Sequence, residues 1–197
     1  MAAVQVPPPR LGPPRALALG DVAQVLDEVA GDRRAELLVW LAYGCGLRAA
    51  EIAALRIEDC HLGARPHLRV RGKGRKQRLV PLHPRVAAVL LAALAGRPSV
   101  GPVVESHRDQ GRGLSAKTVS HLLGEALRTA GVAATGQQLR HTFATELLAA
   151  GEGTNIRAVS RLLGHSQLEV TERYVGAYDA DAWAAVHLLP DPAGRRM

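Results

Sequence analysis

Between residues 67 and 82 the spacing of apolar side chains changes from every third or fourth residue to every second. HLRVRG and QRLVPL alternate apolar and polar residues, with the polar, glycine-bearing run GKGRK between them. That pattern reads as an antiparallel hairpin, extended by a short strand near RIEDC. On both sides the period is helical. Val22, Val25, Leu26 and Val29 share one face of a helix over 20–30, capped at or near Asp21. Leu37, Leu38, Trp40 and Leu41 mark a second helix over 34–43, which GCG ends; Ile52 and Leu55 face inward on a third, from about Arg48. Helical spacing resumes over 83–95, 116–130, 138–150 (Leu139, Phe143, Leu147) and 155–163, where Gly164 is placed to close the helix. DADAWAAVHLL is a last short amphipathic helix. Helices, one small sheet, then helices again predict a mainly α fold with a small antiparallel sheet (α+β).

The core must be built almost without aromatic rings, because the 197 residues include one Phe, two Trp and three Tyr. Ala, Leu and Val supply most of the 47% hydrophobic content, enough for packed helices. No apolar run approaches the roughly 18–20 residues of a membrane span, and the Pro-rich start MAAVQVPPPRLGPPR lacks the apolar stretch of a secretory signal. Cys45 and Cys60 form neither a disulfide framework nor a metal spacing, and are expected to be reduced core residues. These features suggest a cytoplasmic protein with no membrane partner.

The net charge of +7 favours a polyanionic partner, since each cation set against a phosphate releases counterions. A basic surface by itself is also what a GC-rich genome writes, since arginine codons are cheap there. The distribution of lysine says more. Of 25 basic residues only Lys73, Lys76 and Lys117 are lysines, and two of them fall in GKGRK. Arginine keeps its proton at any working pH, whereas lysine can give one up. The turn is therefore marked as a place for a proton donor.

Four scattered segments belong together: GLRAAEIAALR (46–56), GKGRKQRLVPL (72–82), QQLRHTFATELLAAG (137–151) and LLGHSQLEVTERYVG (162–176). In order, and with the interval from the LLGH histidine to the tyrosine, they resemble the tyrosine recombinases, the family of phage integrases and Xer-type recombinases. The resemblance runs from residue 17 to about 187. It implies a catalytic domain that cuts double-stranded DNA through a 3′-phosphotyrosyl bond and rejoins it, with no metal or ATP and no other cofactor. Residues 1–16 are then an arm or linker, 17–190 the catalytic domain and 191–197 a flexible basic tail. The N-terminal core-binding domain of relatives is absent from this sequence, which suggests a partner chain, a short form or an excised domain.

The chemistry needs these residue types. A phosphodiester under attack builds charge on its non-bridging oxygens, and fixed cations must hold it. Arg48 and Arg140 match the family's two arginines, whose planar forks grip two oxygens. Helix-start amides near Arg48 are expected to favour an anion as well. Glu51 would orient a basic neighbour. Arg140 is expected at the edge of the apolar face of its helix, with His141 either in packing or supporting the residues that touch the phosphate. Lys73 is the expected general acid for the leaving 5′-oxygen, with Lys76 as its competitor. Gly72 and Gly74 let that turn approach DNA. His165 would hydrogen-bond a phosphate oxygen. Tyr174 would be the nucleophile, weak at its ordinary pKa of about 10 unless neighbouring cations or a base assist; Tyr178 is a distant second.

One position departs from the family. Where relatives carry His-x-x-Arg, Gln137 precedes Arg140 by three residues. Glutamine can hydrogen-bond a phosphate but cannot serve as acid or base, so slower chemistry is expected. The competing reading is a weak or inactive DNA-binding relative that partners a full-length recombinase; a topoisomerase-like swivelase shares the chemistry but not the motif set. The resemblance further implies a homo-tetramer on DNA, associated with the nucleoid, and a monomer when free. The last helix would present Trp183, Val186 and Leu189 to the next protomer, or else fold back on its own domain.

Overall fold

The period change near residue 67 marks the entry to a three-stranded antiparallel sheet set among helices. A computed structural model of the chain describes residues 16–72, 77–107, 109, 111–150, 156–164 and 180–194. Along the chain come α1 (Leu19–Glu28), α2 (Arg33–Tyr43), α3 (Ala49–Ala54), a 3-10 turn (Ile57–Asp59), β1 (Cys60–His61), β2 (His67–Arg71) and β3 (Gln77–Pro81). Then follow α4 (Pro84–Leu94), α5 (Ala116–Thr129), α6 (Gly136–Ala149), α7 (Ile156–Leu163) and α8 (Ala180–His187). The strands lie in the order β1-β2-β3, with His67 opposite both His61 and Pro81, and Arg71 opposite Gln77.

Helix α2 is the hub. Every residue from Leu37 to Tyr43 is buried, as expected of a helix that is apolar on all sides. It packs on α4, α5 and α6. The Asp32 carboxylate starts it by accepting from the amides of Arg34 and Ala35, both at 3.0 Å. On α6 the four-residue repeat Leu139, Phe143, Leu147 is wholly buried. Ser115 caps α5 and Thr135 caps α6 through side-chain bonds to their first turns.

Two expectations need correction, and of the two placements open to the last helix one is observed. Helix α1 begins two residues before Asp21: Asp21 and Val22 both donate to the Ala18 carbonyl, so the backbone closes the first turn there without a side-chain cap. Asp21 instead lies in that first turn, where its charge suits the helix dipole. Cys60 is half-buried rather than core, its thiol donating to the Arg56 carbonyl, while Cys45 is fully buried. Helix α8 folds back on its own domain. Val186 and Leu189 are buried beside Ala182 and Ala185, α8 packs on α7 and β3, and Tyr43 Oη donates to the Pro190 carbonyl at 2.9 Å. Trp183 is half-buried and stacks on His187.

The break between α2 and α3 is made by close packing. Gly46 has φ +59°, and a Cβ there would overlap the Phe143 ring, 2.8 Å from Cε1. Gly46→Ala should therefore combine left-handed strain with overpacking and cost about 2–4 kcal/mol. Equilibrium urea unfolding measures it; a loss below about 0.5 kcal/mol, the scale of an ordinary surface change, would show that the turn relaxes freely.

Candidate active site

The residues following that break converge on one carboxylate. Arg48 stands immediately before α3, and its amide donates to Glu51 Oε2 at 2.8 Å. The anion at the start of α3 is thus the protein's own Glu51, which takes the amide that the sequence reading had left open for a ligand. Arg48 Nη1 lies 3.4 Å from Glu51 Oε1 and 3.4 Å from the Leu163 carbonyl. Its side chain is 47% exposed, so part of the guanidinium faces solvent.

Arg140 comes from α6 and is buried more deeply than a place at the edge of the apolar face implies, at 7% exposure. One Nη donates to the Gly46 carbonyl and the other to the Leu163 carbonyl at 2.6 Å. Nη1 is 3.5 Å from Glu51 Oε2. The left-handed turn at Gly46 thus presents a carbonyl to Arg140 as well as admitting Phe143.

A third arginine completes the cluster, and the motif reading had not singled it out. Arg78 on β3 donates from Nη1 and Nη2 to the two Glu51 oxygens, at 2.8 and 3.0 Å, and from Nε to the Leu162 carbonyl at 2.6 Å. A signal was present in the strand. Val80 opposes Leu68 and is buried; counting back two residues puts Arg78, opposite buried Val70, on the same inner row. Leu79 faces outward and is 39% exposed. Alternation counted from Val80, instead of from the apolar Leu79, finds the inward arginine.

The electrostatics follow from these contacts. Among the described residues, the ion pairs of this cluster set three guanidiniums against one carboxylate, leaving an excess of two positive charges. The last carbonyls of α7 take part of that excess, as the negative end of a helix dipole does. Burial alone would raise the Glu51 carboxyl. The hydrogen bonds from Arg78 and the Arg48 amide, with the charges of Arg78 and Arg140, outweigh it and hold the group below its usual value. Burial and then the neighbouring Arg48 pull Arg140 down to about 10, still well above neutrality. The cluster is an arrangement of fixed cations suited to an anion with two or more oxygens.

Gln137 is exposed in the first turn of α6, three residues before Arg140 and on the same side of the helix. His141 is exposed too, which rules out the packing alternative for it. Lys73, Lys76, His165, Tyr174 and Tyr178 lie outside the described residues, although Gly72, Gln77 and Gly164 bracket the segments that carry them. Among the described residues no group of three or more His, Cys, Asp or Glu side chains could hold a metal ion, and no helix is long and apolar enough to cross a membrane.

Removing the Glu51 charge would leave Arg140 buried, and the largely covered Arg78, without a counter-charge. Glu51→Gln is expected to destabilise the fold by about 3–5 kcal/mol, lowering the melting temperature on the order of 10 °C. Because the folded-state carboxyl is depressed, its stabilisation is complete above the ordinary carboxylate range near about 4.3 and is lost as pH falls through the still lower folded value. Melts from pH 7 to pH 2 should show the two chains converging at the acid end. A parallel pair of curves would remove Glu51 as the titrating group.

Comparison with known proteins bears directly on this cluster. The sequence model of the phage integrase family matches residues 17–181. Tyrosine recombinase XerA of Pyrococcus furiosus is 38% identical over 165 residues, covering 82% of this chain and 57% of the relative. The chain thus spans less than two thirds of that relative's length. The integrase from mycobacterium phage Brujita superposes with a TM-score of 0.78 at 31% identity, over 98% of this chain and 64% of that one. XerH recombinase bound to its palindromic difH substrate shares the fold, with a TM-score of 0.61 at 22% identity over 78% of this chain and 47% of that one. A matched segment of this extent, with its GLR and QLR arginines meeting on one buried glutamate, shows that the chain belongs to the phage integrase family of tyrosine recombinases.

Proposed function

We propose that this chain is the catalytic portion, residues 17–190, of a site-specific DNA recombinase that breaks and rejoins strands through a covalent 3′-phosphotyrosyl intermediate. The observation that carries the reading is the convergence of Arg48 and Arg140 on Glu51, with Arg48 half open to solvent. A scissile phosphate seated against Arg48 would find charge already in place, and preorganised charge contributes most in a site that excludes water. The net charge of +7 favours the rest of the duplex.

In the proposed reaction, Tyr174 Oη attacks phosphorus in line with the bond to the 5′-oxygen. The tyrosine–phosphorus bond forms as that bond breaks, and the phenolic proton passes to water. Lys73 protonates the departing 5′-oxygen, a step that contributes typically about 10²–10⁴-fold. Arg48, Arg140 and His165 hold the non-bridging oxygens while Gln137 supports their geometry. Rejoining is the reverse, with a 5′-hydroxyl attacking the phosphotyrosine. The bond energy is kept in the intermediate, so the cycle runs without an external energy source. The proposed assembly on DNA is a homo-tetramer in the cytoplasm, monomeric when free.

Denaturing gels of the chain incubated with nicked duplexes, made from the DNA flanking its own gene, test the reading. A protein–DNA adduct is expected, absent in Tyr174→Phe and reduced about 10²–10³-fold in Arg48→Ala and Arg140→Ala. Binding by gel shift with no adduct under any condition would favour the regulatory DNA-binding reading. For the glutamine, the expected outcome is faster adduct formation by Gln137→His at unchanged DNA affinity. An unchanged rate would show that the position carries no proton in this chain.

A further inference from the structure

Arg78 differs from the other two arginines in how it spends its donors. Nε, Nη1 and Nη2 all go to protein acceptors, and its side chain is 13% exposed. Among the described residues, Arg48, 47% exposed, has only long contacts from its guanidinium, at 3.4 Å. Arg78 is therefore built to hold protein, whereas Arg48 keeps about half of its side chain open to solvent.

What Arg78 holds is the part of the cluster on which the other two depend. Without it, Glu51 would keep the Arg48 amide at 2.8 Å and two distant guanidinium contacts at 3.4 and 3.5 Å. The bidentate fork sets the plane of the carboxylate, because two parallel bonds leave it no rotation. The same guanidinium ties α7: a Cβ on Gly164 would lie 3.1 Å from Arg78 Nη1, and Nε reaches the Leu162 carbonyl. Its base is a strand residue in the inner row with Val80, opposite Val70, so the fork is mounted on a rigid element. Helix α3, strand β3 and the end of α7 thus meet at one side chain.

We infer that Arg78 is a positioning residue of the strand-transfer centre, fixing Glu51 and the end of α7 so that Arg48 and Arg140 meet the reacting phosphate. The inference rests on the function proposed above. It acts through its neighbours and does not touch the substrate.

The test uses the full chain with Arg78→Lys, Arg78→Met and a control. Arg97 is an equally engaged arginine outside the cluster, bonded to the Val103 and Pro102 carbonyls and to Glu105, so Arg97→Lys reports a purely structural loss. The first measurement is amide hydrogen exchange at Arg48, whose N–H donates to Glu51. Arg78→Lys should speed it about tenfold, the scale of one such bond, and leave α5 unchanged. The second is single-turnover adduct formation on two nicked duplexes, one with the natural phosphate and one with a methylphosphonate at the cleavage position. The methyl group removes the non-bridging charge that Arg48 and Arg140 would hold. On phosphate the expected loss for Arg78→Met is about 10²-fold, with DNA affinity within a few-fold, partial recovery in Arg78→Lys, and a much smaller loss on methylphosphonate.

Equal losses on both linkages would overturn the inference, as would the same pattern in Arg97→Lys or unchanged exchange at Arg48. Failure of both Arg78 variants to fold would also overturn it, assigning the residue to stability. Should the unsubstituted chain give no Tyr174-dependent adduct, the strand-transfer reading fails by itself. Exchange at Arg48 then decides alone whether Arg78 sets the carboxylate.

Discussion

One buried carboxylate allows three guanidiniums to stand together. Like charges at these separations repel, and desolvation adds a cost for each ion taken from water. Glu51 answers both, with each oxygen facing at least two donors. The carbonyls of Leu162 and Leu163, with that of Gly46, supply further acceptors. Neither source would suffice alone: the carboxylate balances one charge, and the helix end offers only partial charges.

The fold can be understood as the means of delivering those acceptors. Helix α2 must stop abruptly for Arg48 to begin α3, and Gly46 makes the stop by taking a backbone angle that other residues rarely adopt and by lying against Phe143. Its carbonyl then turns to Arg140. Helix α7 must end with its carbonyls aimed at the cluster, and Gly164, at φ +65°, ends it there. The chain leaves α7 for residues 165–179, which carry His165 and Tyr174, directly from the anchored point. The backbone turns therefore contribute to the site as acceptors as well as to the packing.

The parts legible in the sequence are those governed by period. Leu139, Phe143 and Leu147 announce the buried face of α6, and HLRVRG with QRLVPL announces the hairpin, because one burial rule sets each pattern. Arg48 and Arg140 were legible through motif context, since their neighbours in sequence are distinctive. Arg78 was not. It occupies an inner position of a strand in which Leu79, apolar and outward, invites the opposite parity. A buried cation is rare enough that sequence patterning places it outside by default. Only the tertiary meeting with Glu51 makes its burial favourable, and no local rule encodes a partner 27 residues away. The docking of α8 was equally hidden: its apolar face fits its own domain or a neighbour's by composition alone, and the Tyr43–Pro190 bond joins positions 147 residues apart.

The choice of arginine over lysine in the cluster follows from the same physics. Burial and the neighbouring cations bring Arg140 down to about 10, where it remains charged at neutral pH. A lysine starts lower, near about 10.4, and a comparable shift would carry it towards neutrality, ending its ability to hold an anion. The three lysines of the chain stand elsewhere: Lys117 is exposed on α5, and Lys73 and Lys76 belong to the hairpin segment. Permanent cations are thus built into the packed frame, around a carboxylate that only the folded chain can supply. Lys73, on which the proposed reaction draws for a proton, and Lys76 belong to the sequence between β2 and β3 and are not among the three cations that Glu51 holds.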